Sequence, residues 1–210
     1  MTAELFAKVK HHLEQALTES TKNEGYTHLL KAKEEYFSLT GGIHEESDEY
    51  EHKMNCFNDW FLLHYSVEKS RPPIIIEYLL HHKLNDDVKD IFTTPNYSLF
   101  EYKKINSKKQ VVLKDILHNK NLVLIEMMIG LVEKDFFVGR TLTIKDQNYL
   151  MRGICVLPPE VKSICSKYCK RIRKLNNPTE EEQFLLTLEF LKTKWLRYGK
   201  NMDAKKIFIF

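Results

Sequence analysis

Glycine is scarce in this sequence, with seven among 210 residues. None forms a G-x-x-x-x-G-K run, which excludes the phosphate-cradling loop that needs such glycines. A G-x-S-x-G elbow and an H-E-x-x-H pair are also missing, so neither the hydrolase nucleophile nor the zincin ligand set is written here. The four cysteines, Cys56, Cys155, Cys165 and Cys169, include no C-x-x-C pair. Cys165 and Cys169 stand one helical turn apart, but no histidine pair accompanies them to complete a zinc site. A chain of this size with these spacings does not describe a disulfide framework, so the cysteines read as plain buried or half-buried thiols. No run of about 18 apolar residues occurs, so no membrane-spanning helix is expected. Met1 to Lys10 lacks the basic-then-apolar pattern of a secretory signal, which points to the cytoplasm. No cofactor and no metal are expected.

What is present suffices for a core: 43% of residues are hydrophobic and 29% charged. The net charge of +3 conceals an asymmetry. Residues 1–100 carry 10 Lys+Arg against 17 Asp+Glu, and residues 101–210 carry 22 against 12. Two oppositely charged halves docked on each other would explain this; a basic surface for a polyanion would explain it too.

Periodicity sets an α+β order: a helical N-terminal half, a small five-stranded antiparallel, barrel-like sheet, and two C-terminal helices. Helices are predicted over 3–18, with Thr2 as N-cap, and over 27–38, ended by Gly41-Gly42. A third, over 47–66, carries Tyr50, Met54, Phe57, Trp60, Phe61 and Leu63 and should be the central buried element of that half. His64 extends its stripe as a core histidine bonded to a carbonyl. Arg71-Pro72-Pro73 forces a joint, followed by short helices over 74–82 and 86–92. Strands are predicted at Leu99 to Ile105, Gln110 to Lys114, Leu122 to Met127, Phe136 to Ile144, and Tyr149 to Val156. Phe136, Val138, Leu142 and Ile144 share one face. Hairpin-length links favour antiparallel pairing, and closure into a small barrel would remove exposed edges. Gly139 and Gly153 lie inside strands, as bends require. Leu157-Pro158-Pro159 opens an amphipathic helix. A last helix starts at a capping box, Thr179 to Glu182, with cations including Lys200 near its end. Three regions follow: 1–96 helical, 97–157 barrel-like, and 158–210 with the C-terminal helices and an apolar tail, packed as one unit.

The segment Glu49 to Leu63, with Tyr50, Met54, Phe57, Trp60 and Phe61, precedes Ser98-Leu99-Phe100-Glu101-Tyr102, Leu113-Lys114-Asp115 and Asp135 to Arg140. This order resembles a family of uncharacterised bacterial proteins with a helical segment followed by a small β domain. Some of those carry a short cysteine-rich metal motif; none is present here, so the resemblance implies neither metal nor activity.

Two binding readings follow, and catalysis ranks behind both for want of a motif. The first in rank is a protein that acts through protein–protein contacts, with a partner or a second copy docked by the tail Ile207, Phe208, Ile209 and Phe210. A plug on the chain's own core is the simpler fate for that tail. The alternative is RNA or single-stranded DNA, held through Arg140, Arg152, Lys167, Lys170, Arg171, Arg173 and Lys174, with Phe100, Tyr102 and Tyr149 as stacking aromatics. Asp48, Glu49 and His52 offer a minor divalent-ion option on one helix face.

Overall fold

A computed structural model of the chain describes residues 2–68, 70–82, 84–126, 130–198 and 201–210. Five helices come first: α1 (Thr2–Ser20), α2 (Glu24–Thr40), α3 (Tyr50–Leu63), α4 (Ile74–His82) and α5 (Asp86–Thr93). The sheet comprises β1 (Asn96–Ile105), β2 (Val111–Asp115), β3 (Lys120–Val123), β4 (Phe136–Ile144), β5 (Gln147–Leu150) and β6 (Cys155–Val156). Two helices close the chain, α6 (Lys162–Leu175) and α7 (Pro178–Arg197). The helix–sheet–helix order is the one the periodicity predicts.

Strand order is β3-β2-β1-β4-β5, antiparallel throughout, with β6 also on β4. The run β4-β1-β2-β3 is a Greek key. Strand directions alternate across five positions, so the two outer strands point the same way. They meet at a single parallel bridge, Leu124 with Asn148. There the Ile125 N–H donates to the Asn148 carbonyl at 2.9 Å. The sheet is therefore a curled half-barrel, closed at one point and open below it.

Alternation along the strands sorts the side chains into two cores. Phe100, Tyr102, Val111, Leu113, Leu122 and Phe137 fill the concave side. Leu99, Phe136, Val138, Leu142 and Ile144 face the helices, where they join one large core with residues from Val9 to Phe208. Both faces of β4 are covered, which is why eight of its nine residues are buried. α3 is the aromatic hub that its stripe predicts. Phe57 and Trp60 lie with ring centroids 5.6 and 5.4 Å from Tyr36 of α2.

Several details differ from the sequence reading. The fifth strand breaks into β5 and β6 because the chain between them is drawn onto α3. The Gly153 N–H donates to Asp59 Oδ2 at 2.7 Å. A Cβ there would lie 2.6 Å from that oxygen and 2.7 Å from Cys56 Cα, so only glycine permits the approach. The capping box is not used: Asn177 caps α7, its side chain accepting from the Thr179 N–H at 3.0 Å, with Pro178 in the first turn. His64 is bonded to a carboxylate, not a carbonyl: its Nδ1 lies 3.3 Å from Glu182 Oε1. The expectations for Met127 and Lys200 lie outside the described residues.

Candidate functional site

Where the half-barrel stays open, a groove of about 830 Å³ runs between its mouth and the start of α3. The size suits a ligand site. Its floor is apolar. Leu131, Leu150, Ile154 and Val156, which pack against the concave core, reach into it together with Leu124. Its rim is acidic. Asp48, Glu49 and Glu51 come from the approach to α3 and its first turn, and Glu126 from the chain after β3. The rim cations are matched: Lys10 lies 3.9 Å from Glu126, and Arg152 lies 3.7 Å from Glu14. Lys192 lies 3.5 Å from Glu49. Asp48 and Glu51 form no ion pair among the described residues. Tyr149 contributes a hydroxyl whose pKa burial pushes up to about 12, so it stays a neutral donor. Among the described residues no set of three His, Cys, Asp or Glu side chains is placed to hold a metal ion, and the grouping of Asp48, Glu49 and His52 does not make one.

Behind the groove lies a buried polar centre. Arg140 is fully buried, with its guanidinium 3.8 Å from the centre of the Tyr97 ring. The two residues are cross-strand partners in β4 and β1. Nε, Nη1 and Nη2 of Arg140 have no hydrogen-bond partner among the described residues. Compensation comes at longer range from Glu189 and Asp59, and from the ring face. Glu189 of α7 accepts from Tyr97 at 2.8 Å and from Tyr36, and its Oε2 lies 3.9 Å from Lys53 Nζ. One carboxylate thereby ties α2, α3, β1 and α7 together. Burial raises Asp59 to about 6, with Arg140 and the Gly153 N–H pulling the other way. Neither Arg140 nor Glu189 lines the groove, so this centre holds the fold and leaves the groove's chemistry to its rim and floor.

A second network sits at the far end of the sheet. Asp115 Oδ1 accepts from Ser98 at 2.5 Å, and its Oδ2 lies 2.9 Å from His118 Nδ1. His118 Nε2 lies 3.3 Å from Glu181 of α7. The bond to Asp115 holds His118 above its ordinary pKa. Burial pulls Asp115 up, but the hydrogen bonds from His118 and Ser98 outweigh it and hold Asp115 below the usual carboxylate range. Ser98 addresses the aspartate rather than the imidazole, so no nucleophile is activated.

The residues singled out in the sequence are dispersed. Arg140 is inside the protein. Arg152 is at the groove rim. Lys167, Lys170, Arg171 and Lys174 are exposed on α6, and Arg173 is half-buried. Phe100, Tyr102 and Tyr149 are buried, so none offers a ring for stacking a base. The tail folds back on its own chain. Ile207 and Phe208 are buried, and Phe210 rests on Tyr168 and Phe184 with ring centroids 4.3 and 5.4 Å away. Only Ile209 points out, 72% exposed. All four cysteines are free thiols.

Fold and groove together define an α+β chain that clasps a half-open barrel between helices and keeps an acid-rimmed apolar cleft at the barrel mouth. The chain belongs to a family of unknown function (DUF7986), which matches residues 7–193. The uncharacterised family expected from the sequence is thus the finding, with no activity attached. No curated protein and no solved structure matches the chain. No helix among the described residues is long and apolar enough to cross a membrane.

Proposed function

We propose that this is a non-enzymatic binding protein that acts through protein–protein contacts, with the groove at the barrel mouth as its docking site. The observation that carries this reading is the pairing of an apolar floor with an acidic rim, two of whose carboxylates, Asp48 and Glu51, have no ion-pair partner among the described residues. Such a cleft suits a polypeptide segment with apolar side chains between Lys or Arg residues. Burial of those side chains supplies affinity, and the rim supplies orientation and encounter rate. The same rim repels phosphates, so a nucleic acid finds no support in the groove. We place the binding in the cytoplasm, where free thiols persist.

A peptide-display selection on the immobilised full chain tests the proposal. Enrichment of sequences alternating apolar and basic residues is expected. Their affinity should fall at least about tenfold, as loss of two charge contacts implies, in an Asp48→Lys, Glu51→Lys variant with an unchanged circular dichroism spectrum. Enrichment of acidic sequences, or equal affinity for the variant, would contradict it.

A further inference from the structure

We infer that α6 carries a second, independent site: a cationic stripe that takes the phosphodiester backbone of duplex nucleic acid without reading its sequence. The stripe consists of Lys167, Lys170, Arg171 and Lys174, spaced i, i+3, i+4 and i+7, which places all four on one side of the helix. All four are exposed, and none forms an ion pair among the described residues. Ser163, also exposed, continues the same side one turn earlier.

The composition of α6 is what separates it from an ordinary solvated face. It holds six Lys or Arg residues and no Asp or Glu. The other long helices mix signs: α1 pairs Lys8 with Glu4, and α7 opens on Glu180 and Glu181 and closes on Lys194 and Arg197. Complementing the helix dipole accounts for Arg173 and Lys174 in the last turn. It does not account for Lys167 and Lys170. At the helix start the charge extends onto the sheet. Lys162 Nζ lies 2.8 Å from Glu101, which also takes Lys103 at 3.4 Å and stands opposite Lys114 across the β1–β2 pair. Two lysines share that single acid, with a third on the neighbouring strand. Among the described residues no acid of the N-terminal half forms an ion pair with the stripe.

The ligand class follows from what accompanies the charge. On the inner side of α6 Cys165 and Cys169 are buried, Ile164 and Ile172 are half-buried, and Leu175 at the helix end is 58% exposed, so one apolar residue, and no continuous apolar face, is left to lower into a lipid surface. The one aromatic residue of α6, Tyr168, is packed against Phe184 and Phe210, and Arg171 lies over its ring at 4.9 Å, so the helix itself offers no free ring. Single-strand binding relies on such rings. A rigid row of point charges without them matches phosphates held at fixed spacing along a duplex.

The test is fluorescence anisotropy of a labelled 20-base-pair duplex, in RNA and DNA forms, with the full chain at 50 and 200 mM salt. If the four cations neutralise four phosphates, the slope of log affinity against log salt is about −3.6, and affinity drops roughly 150-fold between the two salts. A Lys167→Gln, Lys170→Gln, Lys174→Gln variant should flatten the slope to about −0.9 with a melting temperature no lower than the native chain's, since like charges leave the helix, and unaltered peptide binding at the groove. Absence of salt-sensitive binding at 50 mM, undiminished binding by the variant, tighter binding of the single strand, or equal binding of poly-glutamate or anionic vesicles would each overturn the assignment.

Discussion

Asp59 has the environment with the clearest consequence for stability. It is 7% exposed, bonded to the Gly153 N–H, and raised from 3.8 to about 6 by burial. A carboxyl raised on folding binds its proton more tightly in the native state. Its contribution is therefore full below pH 3.8 and is lost as pH climbs to about 6. The loss amounts to about 3 kcal/mol. An Asp59→Asn variant keeps an oxygen for Gly153 and cannot ionise. Urea midpoints at pH 4 and 7 should show the native chain losing about that much relative to the variant, and parallel pH profiles would contradict it. Asp115 runs the other way: held low in the fold, it stabilises above the usual carboxylate range, and that share is lost as pH falls. His118, held high, stabilises below about 6.5, and its share is lost as pH rises through its raised value. The sequence reading assigns Arg140 to a phosphate, and its burial corrects that: it has the parity of Phe136, Val138, Leu142 and Ile144, so the alternation that buries those four buries it as well. Glu189 was not legible, because its tyrosine partners lie 153 and 92 residues away and no local pattern brings them together.

At the scale of elements, most helices and strands could be read from period and punctuation, and their ends could not. Gly41, at φ 75°, stops α2 as its sequence implies. The break between β5 and β6 was hidden, since it depends on Asp59, a residue of a distant helix. At the start of α7 the sequence pattern and the observed cap differ. Thr179 and Glu182 spell a capping box, yet Asn177 performs the capping. Asn177→Ala should therefore destabilise the chain by about 1 kcal/mol, while Thr179→Ala should cost a few tenths. Urea unfolding of both variants checks this, and the reverse order would restore the capping box. On α6 the pairs 167/170, 167/171, 170/174 and 171/174 each oppose like charges at helical contact spacing. Together they cost the helix about 1–2 kcal/mol, which an evenly charged face would avoid.

For the whole molecule, the charge asymmetry between the halves resolves into separate surfaces. A few pairs join them, among them Arg152 with Glu14 and Lys192 with Glu49, but the cations of α6 remain outside those contacts. Three acids of the first half, Asp48, Glu49 and Glu51, stand at the groove rim, and six cations of the second half lie on α6. On the two proposals above, a basic, apolar polypeptide and a polyanion would be held at different places on the chain. The groove itself was invisible in the sequence because its walls come from the start of α3, the chain after β3 and the β5–β6 segment, which only the curl of the sheet assembles. The most direct measurement is methyl NMR of the full chain titrated with a short peptide of alternating leucine and lysine. Shifts confined to Leu124, Leu131, Leu150, Ile154 and Val156, and abolished by Asp48→Lys, Glu51→Lys, are the predicted result. Shifts centred on the tail or on α7, or a spectrum unmoved at saturating peptide, would contradict the account.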